Sequence, residues 1–320
     1  MSRPGEALLG ALTREGAAAG RSRPLVLWRF SRPHTIVGTT LSVLALYAIA
    51  VSDLAGGDLG AALFDLWWTL VAAWCVNVFI VGINQLEDVE IDRVNKPFLP
   101  IAAGELSPAA GRRIVGVAAL VPLVLGVTQG AAEVVAVALG VAIGTAYSVP
   151  PLRLKRYPAL ASLSITFVRS LVVNLGVWLH FSHALGGGSA IHPAVWALIA
   201  VTIPFSFAIA ILKDVPDVEG DRRYAISTFS VRLGARPVFA LGLAALTIAE
   251  LGMATVGVSL LDDANTALLV AGHLAAAAAL WAWALGVDLA DRGAVTRFYM
   301  RVWVLFFAEY AIVAAAELLG

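Results

Sequence analysis

The chain of 320 residues is 60% hydrophobic and only 14% charged, with a mean hydropathy of +0.85, which excludes a water-soluble domain. Its 22 basic and 22 acidic residues cancel, so the basic surface of a nucleic-acid binder is excluded too. The single cysteine, Cys75, lies in an apolar run and rules out a disulfide framework or a thiolate metal site within one chain.

Residues 1–27 read as a cytoplasmic tail, because their LLGAL patch is too short for the apolar core of a cleaved leader. Residues 28–320 read as one domain. Apolar runs bounded by Gly, Pro and charge clusters predict nine spans at about 34–52, 63–84, 113–130, 132–149, 159–183, 194–212, 237–260, 265–287 and 298–318. Each is close to the ~20 residues that cross a bilayer as a helix. The uncharged stretch 170–212 is too long for one helix and is divided at LGGGSAIHP, 185–193. The expected fold is therefore all-α, a multi-pass protein whose partner is the lipid bilayer. Every Lys and Arg except Arg169 falls in the N-terminal segment or in alternate loops, so the positive-inside rule puts the N-terminus and those loops in the cytoplasm. Abundant Ala, Val and Arg with few Lys point to a GC-rich bacterial genome, hence a bacterial cytoplasmic membrane.

Acidic residues concentrate at two of the cytoplasmic span ends. QLEDVEIDR (85–93) and DVPDVEGDR (214–222) share D-V-E-x-D-R, an internal repeat separated by an even number of crossings. Such a repeat relates two pseudo-equivalent halves by an axis along the membrane normal and brings both clusters to one face. Asp88 and Asp92 are spaced i,i+4, as are Asp217 and Asp221, so on a helical continuation of the preceding span each pair presents its oxygens on one side. All-oxygen sites of this kind suit Mg²⁺, which combines carboxylates with substrate phosphates, so the pattern points to a diphosphate held through Mg²⁺. Arg93, Lys96, Arg153, Lys155, Lys213 and Arg222 lie nearby to grip the remaining phosphate oxygens. Lys96, Lys155 and Lys213 are the only lysines in a chain that otherwise uses Arg.

These residues resemble the UbiA superfamily of intramembrane aromatic prenyltransferases. NQLEDVEIDRVNKPFLPIAAGELS (84–107) resembles its N-x-x-x-D-x-x-x-D motif and KDVPDVEGDRRYAISTFSVRLG (213–234) its second aspartate-rich motif. WRFSRPHTIVGT (28–39), AYSVPPLRLKR (146–156) and FVRSLVVNLGVWLHF (167–181) are similar to the homogentisate prenyltransferase branch. The resemblance implies nine helices around a central cavity and a Mg²⁺-dependent enzyme that ionises a prenyl diphosphate and alkylates an aromatic ring. Carried over, Asn84, Asp88, Asp92, Asp214, Asp217 and Asp221 bind Mg²⁺ and diphosphate. Tyr147 and Lys155 match a tyrosine and a lysine near the departing diphosphate, and Arg32 approaches the acceptor. For homogentisate, loss of CO₂ accompanies ring attack, with Arg29 or Arg32 orienting the carboxylate. A terpene cyclase on the same scaffold, or another aromatic acceptor, is the alternative. A secondary transporter fits less well, because transport sites lie near the bilayer midplane. No protein partner is implied.

Arg169, Glu250 and Glu309 lie inside predicted spans, where charge is expensive and marks function by default. Arg169 is expected to face the cavity and reach a substrate anion or a motif carboxylate. Glu250 and Glu309 are expected to be neutral or helix-pairing groups, and the five histidines show no shared ligand spacing.

Overall fold

Proline and short polar caps decide where the helices begin. Pro33, Pro108, Pro158 and Pro193 each occupy the first turn of a span, where the missing N–H costs nothing. Ser107, Asn265 and Asp291 accept hydrogen bonds from the first-turn amides of the helices they precede. The computed structural model describes residues 22–224 and 226–320, so the expected tail lies outside the described residues up to residue 21.

Described residues form helices α1 (Arg23–Phe30), α2 (Pro33–Leu54), α3 (Leu63–Glu87), α4 (Val89–Asn95), α5 (Pro108–Gln129), α6 (Ala131–Ser148) and α7 (Pro158–Ala184). There follow α8 (Pro193–Leu212), α9 (Val218–Arg223), α10 (Phe229–Leu233), α11 (Ala235–Leu260), α12 (Thr266–Ala284) and α13 (Arg292–Leu318). Nine of these are long and apolar enough to cross a membrane, and among the described residues there is no strand. The protein is a multi-pass, all-α membrane protein.

Three predicted boundaries shift outward. α5 starts at Pro108 rather than 113, α13 at Arg292 rather than 298, and α3 runs to Glu87 rather than 84. The cause is the same in each case. A charge ends an apolar run, but a helix ends where its caps and backbone geometry say, so Arg112, Arg113 and Arg297 sit within helices.

α8 is the most enclosed span. Its strongest apolar window is 72% buried, against 33% for α3, and it packs on α7, α11 and α13 at the centre of the main hydrophobic core. A smaller core joins Phe30 of α1 to Phe79 of α3 and Val115 of α5. Arg29 fastens α1 from the other side through Glu105 and the carbonyl of Phe98. α7 contains a π-helical segment, Phe167–Val172, and α11 another, Met253–Gly257. Such segments recur at functional positions.

Candidate active site

The two repeats meet at one end of the bundle, α4 packing on α9. The spacing predicts uninterrupted helical continuations of the spans; the structure corrects this. Asp88 closes α3 and opens α4 with φ −111° and ψ 19°, and after α8 a turn intervenes before Asp217 opens α9 with φ −101° and ψ 0°. The i,i+4 relation survives the break. The Asp92 amide donates to the Asp88 carbonyl at 2.7 Å and that of Asp221 to the Asp217 carbonyl at 3.1 Å, so each pair still occupies one helical turn.

Cations and amides converge on these carboxylates. Asp88 accepts hydrogen bonds from Asn84 at 3.2 Å, Arg153 at 3.0 Å and Lys155 at 2.6 Å. Lys96 pairs across the repeats with Asp217, whose other oxygen lies 3.6 Å from Arg292. Asn95 donates to Asp221 at 3.1 Å. Lys213 sits 3.5 Å from Asp214 and donates to the Tyr147 hydroxyl at 3.0 Å, so Tyr147 pairs with Lys213 while Lys155 serves Asp88. Gly220 permits this contact of motifs, because a Cβ there would lie 2.1 Å from Asn95 Oδ1.

Burial leaves the carboxylates short of positive charge. It raises Asp92 to about 6 against the pull of Lys96 and Arg32. Burial, with Asp214 and Asp217 alongside, raises Asp221 to about 7, and burial raises Asp214 as well. Burial also lowers Lys155 despite Asp88. It resists the charge on Lys96 and Lys213 too, but Asp217 and Asp92 hold the first above its ordinary value and Asp214 and Tyr147 the second. Asp92 Oδ2 is buried with no partner. An all-oxygen set of partly protonated carboxyls with an orphaned oxygen is chemically suited to a hard divalent cation such as Mg²⁺.

Below the motifs a cavity of about 290 Å³ runs between the spans. Asn84, Tyr147 and Lys213 line its motif end, and Gly140, Gly144 and aliphatic side chains its length, down to Glu133 in the first turn of α6. One wall carries Arg32, His34 and Arg169. Arg32 holds a left-handed backbone (φ 52°, ψ 82°) and Arg153 another (φ 38°, ψ 56°), conformations that non-glycine residues keep only where the surroundings impose them. Arg169 lies on the π-helical segment of α7 with its guanidinium carbon 4.8 Å from the Trp303 ring centre and 5.5 Å from that of Phe306. Both guanidiniums act on His34, whose ring also meets Trp303. Arg32 Nε and Arg169 Nη1 are buried without partners.

The structure therefore brings together Asn84, Asp88, Asp92, Lys96, Arg153, Lys155, Tyr147, Lys213, Asp214, Asp217 and Asp221, with Arg32 and Arg169 on the adjoining wall. Arg93 and Arg222 are not part of this assembly. Arg93 is exposed and pairs with Glu90 at 2.6 Å, and Arg222 is exposed. Each follows a motif aspartate by one residue, a rotation of roughly 100° that carries it to another helix face. Arg169 faces the cavity as expected but meets aromatic rings, not a motif carboxylate, because it sits midway along α7 rather than at its motif end. Arg29 is taken by Glu105 and leaves the acceptor side to Arg32. Asn95, Arg292 and His34 are site residues the sequence reading missed. Asn95 carried a signal, standing i+3 from Asp92; Arg292 and His34 carried none beyond their loop and span.

Residues 39–305 match the UbiA prenyltransferase family. The homogentisate phytyltransferase of Synechocystis sp. is 44% identical over 289 residues, 89% of this chain and 93% of that protein. Homogentisate phytyltransferase 1 of Arabidopsis thaliana is 38% identical over 291 residues, 89% of this chain and 73% of that one. Among solved structures, a UbiA homologue from Archaeoglobus fulgidus bound to GPP and Mg²⁺ superposes with a TM-score of 0.57 at 19% identity, over 91% of this chain and 99% of that one. This protein belongs to the UbiA prenyltransferase family.

Proposed function

We propose that the protein transfers a prenyl group from a prenyl diphosphate to homogentisate with Mg²⁺, at the cytoplasmic face of a bacterial membrane. The observation that carries this reading is the pair of facing carboxylate clusters, laced with lysines, at the mouth of an apolar cavity whose wall holds two unpartnered guanidiniums. The similarity to homogentisate phytyltransferases along most of the chain supports the choice of acceptor.

Asp88, Asp92, Asp214, Asp217 and Asp221 would hold Mg²⁺, which supplies neutralisation of the diphosphate as its C–O bond breaks. Lys155, Arg153, Lys96 and Lys213 surround the same volume and grip phosphate oxygens. Tyr147 accepts from Lys213, which leaves its own hydroxyl proton free to donate to the departing group. The prenyl tail lies in the apolar cavity, where each buried CH₂ is worth about 0.8 kcal/mol, and the allylic cation is kept from water there. Arg32 and Arg169 bind the acceptor carboxylate and turn the electron-rich ring toward the cation. CO₂ leaves as the ring carbon is alkylated.

The test is turnover by purified protein in nanodiscs with Mg²⁺, homogentisate and prenyl diphosphates from geranyl to phytyl, followed by mass spectrometry. A prenylated, decarboxylated product, lost in Asp88→Ala, is the expected result. Diphosphate release without an aromatic adduct would overturn the acceptor and leave a cyclase.

A further inference from the structure

Glu250 on α11, His273 on α12 and Glu309 on α13 meet inside the bundle, each fully buried, with their ligating atoms all within 4.8 Å of one another. None of them lines the substrate cavity, and among the described residues no Lys or Arg pairs with them. Two carboxylates in an apolar interior need compensating positive charge.

The hydrogen-bond geometry shows where that charge belongs. His273 Nδ1 lies 2.7 Å from the Leu269 carbonyl, which can only accept, so Nδ1 carries the hydrogen and Nε2 is turned toward Glu309 Oε2 at 3.1 Å. A backbone carbonyl fixing the outer nitrogen is the usual arrangement of a metal-binding imidazole. Both oxygens of Glu250, and Oε1 of Glu309, are buried with no hydrogen-bond partner. These orphaned oxygens point into the same small volume as Nε2. The π-helical segment Met253–Gly257, packed on α12, begins within a turn of Glu250.

We propose that Glu250, His273 and Glu309 bind one divalent transition-metal ion of the zinc class, at a structural site distinct from the motif carboxylates. The 3.1 Å separation of Nε2 and Oε2 is what two donors on one ion require when each bond is about 2.0–2.1 Å. Two oxygens from Glu250 complete four donors without water. Imidazole favours zinc-class ions over Mg²⁺, and one dication with two carboxylates is neutral overall, as burial in the membrane demands. The ion ties together the last three spans.

Full-length protein purified without added transition metal, washed with EDTA and assayed by elemental analysis tests this directly. About one zinc-class ion per chain is expected to survive the wash, to fall at least tenfold in Glu250→Gln and in His273→Ala, and to persist in Asp88→Ala. X-ray absorption at the metal edge is expected to report nitrogen and oxygen donors without sulfur. Wild-type protein with no stoichiometric metal, whose melting temperature is indifferent to both added Zn²⁺ and phenanthroline, would overturn the proposal and leave protons as the compensating charge. Metal content unchanged in both variants would overturn it equally. If a variant does not fold, the wild-type stoichiometry and absorption spectrum decide the matter alone.

Discussion

Asn95, on the helix of the first motif, donates a hydrogen bond to Asp221 of the second at 3.1 Å, and the side chain that makes this possible is the absent one of Gly220. A methyl group at 220 would stand 2.1 Å from Asn95 Oδ1, so one motif must move by about an ångström. Displacements of that size at a reacting centre cost about 100-fold in rate. Gly220→Ala is therefore expected to lose about 100-fold in kcat with the fold intact. Gly220→Ala combined with Asn95→Gly is expected to recover part of the loss; a double variant no better than the single one would refute the steric cause.

Tyr147 accepts from Lys213 and points its own hydroxyl at the cavity. Tyr147→Phe removes one donor from the departing diphosphate, and losing a single such donor costs about 10²–10³ in kcat. KM for the prenyl diphosphate should change little. An equal rise in KM with kcat unchanged, measured by steady-state kinetics, would assign Tyr147 to ground-state binding instead.

Arg32 and Arg169 each keep a buried N–H without a partner beside His34. Hydrogen bonds to a charged group contribute about 1.5–3 kcal/mol, so Arg169→Gln should raise KM for homogentisate by roughly 10- to 100-fold and leave KM for the prenyl diphosphate near wild type. A hydroquinone lacking the carboxylate should be insensitive to the substitution. Equal sensitivity of both acceptors would remove the carboxylate from the account.

The raised carboxyls make metal binding depend on pH in a fixed direction. Asp92 near 6 and Asp221 near 7 hold protons that a divalent cation must displace. Apparent Mg²⁺ affinity should fall as pH drops from 8 to 6, by about tenfold per unit for each proton displaced. For the metal-free fold the sign is opposite. Carboxyls raised above their unfolded value contribute stability below that value and lose it as pH rises through 6 and 7, so melting temperature without Mg²⁺ should decline from pH 6 to 8 and recover on its addition.

Much of this was legible along the chain. Nine apolar windows mark the spans because each needs a continuous run of side chains compatible with lipid, and the D-V-E-x-D-R repeat marks the site because its oxygens must be paired. Helical phase also separates residues that turn inward from those that do not. Lys96 and Asn95 stand i+4 and i+3 from Asp92 and reach the site, whereas Arg93 at i+1 does not. What the sequence hides is contact between distant elements. Glu250, His273 and Glu309 converge only because α11, α12 and α13 pack side by side, and no spacing within one helix announces that. Arg292 reaches Asp217 and the Asn95 carbonyl from the start of the last span for the same reason.

The two spans that deliver the motifs meet their surroundings unequally: α8 is sheathed by protein, while α3 presents most of its length to acyl chains. One jaw of the site is thus anchored to the protein interior and the other to the fluid around it. Membrane thickness and lateral pressure act on α3 far more than on α8, so the gap between the carboxylate pairs carries an imprint of lipid composition, and the rate of prenyl transfer varies with the bilayer that houses the enzyme.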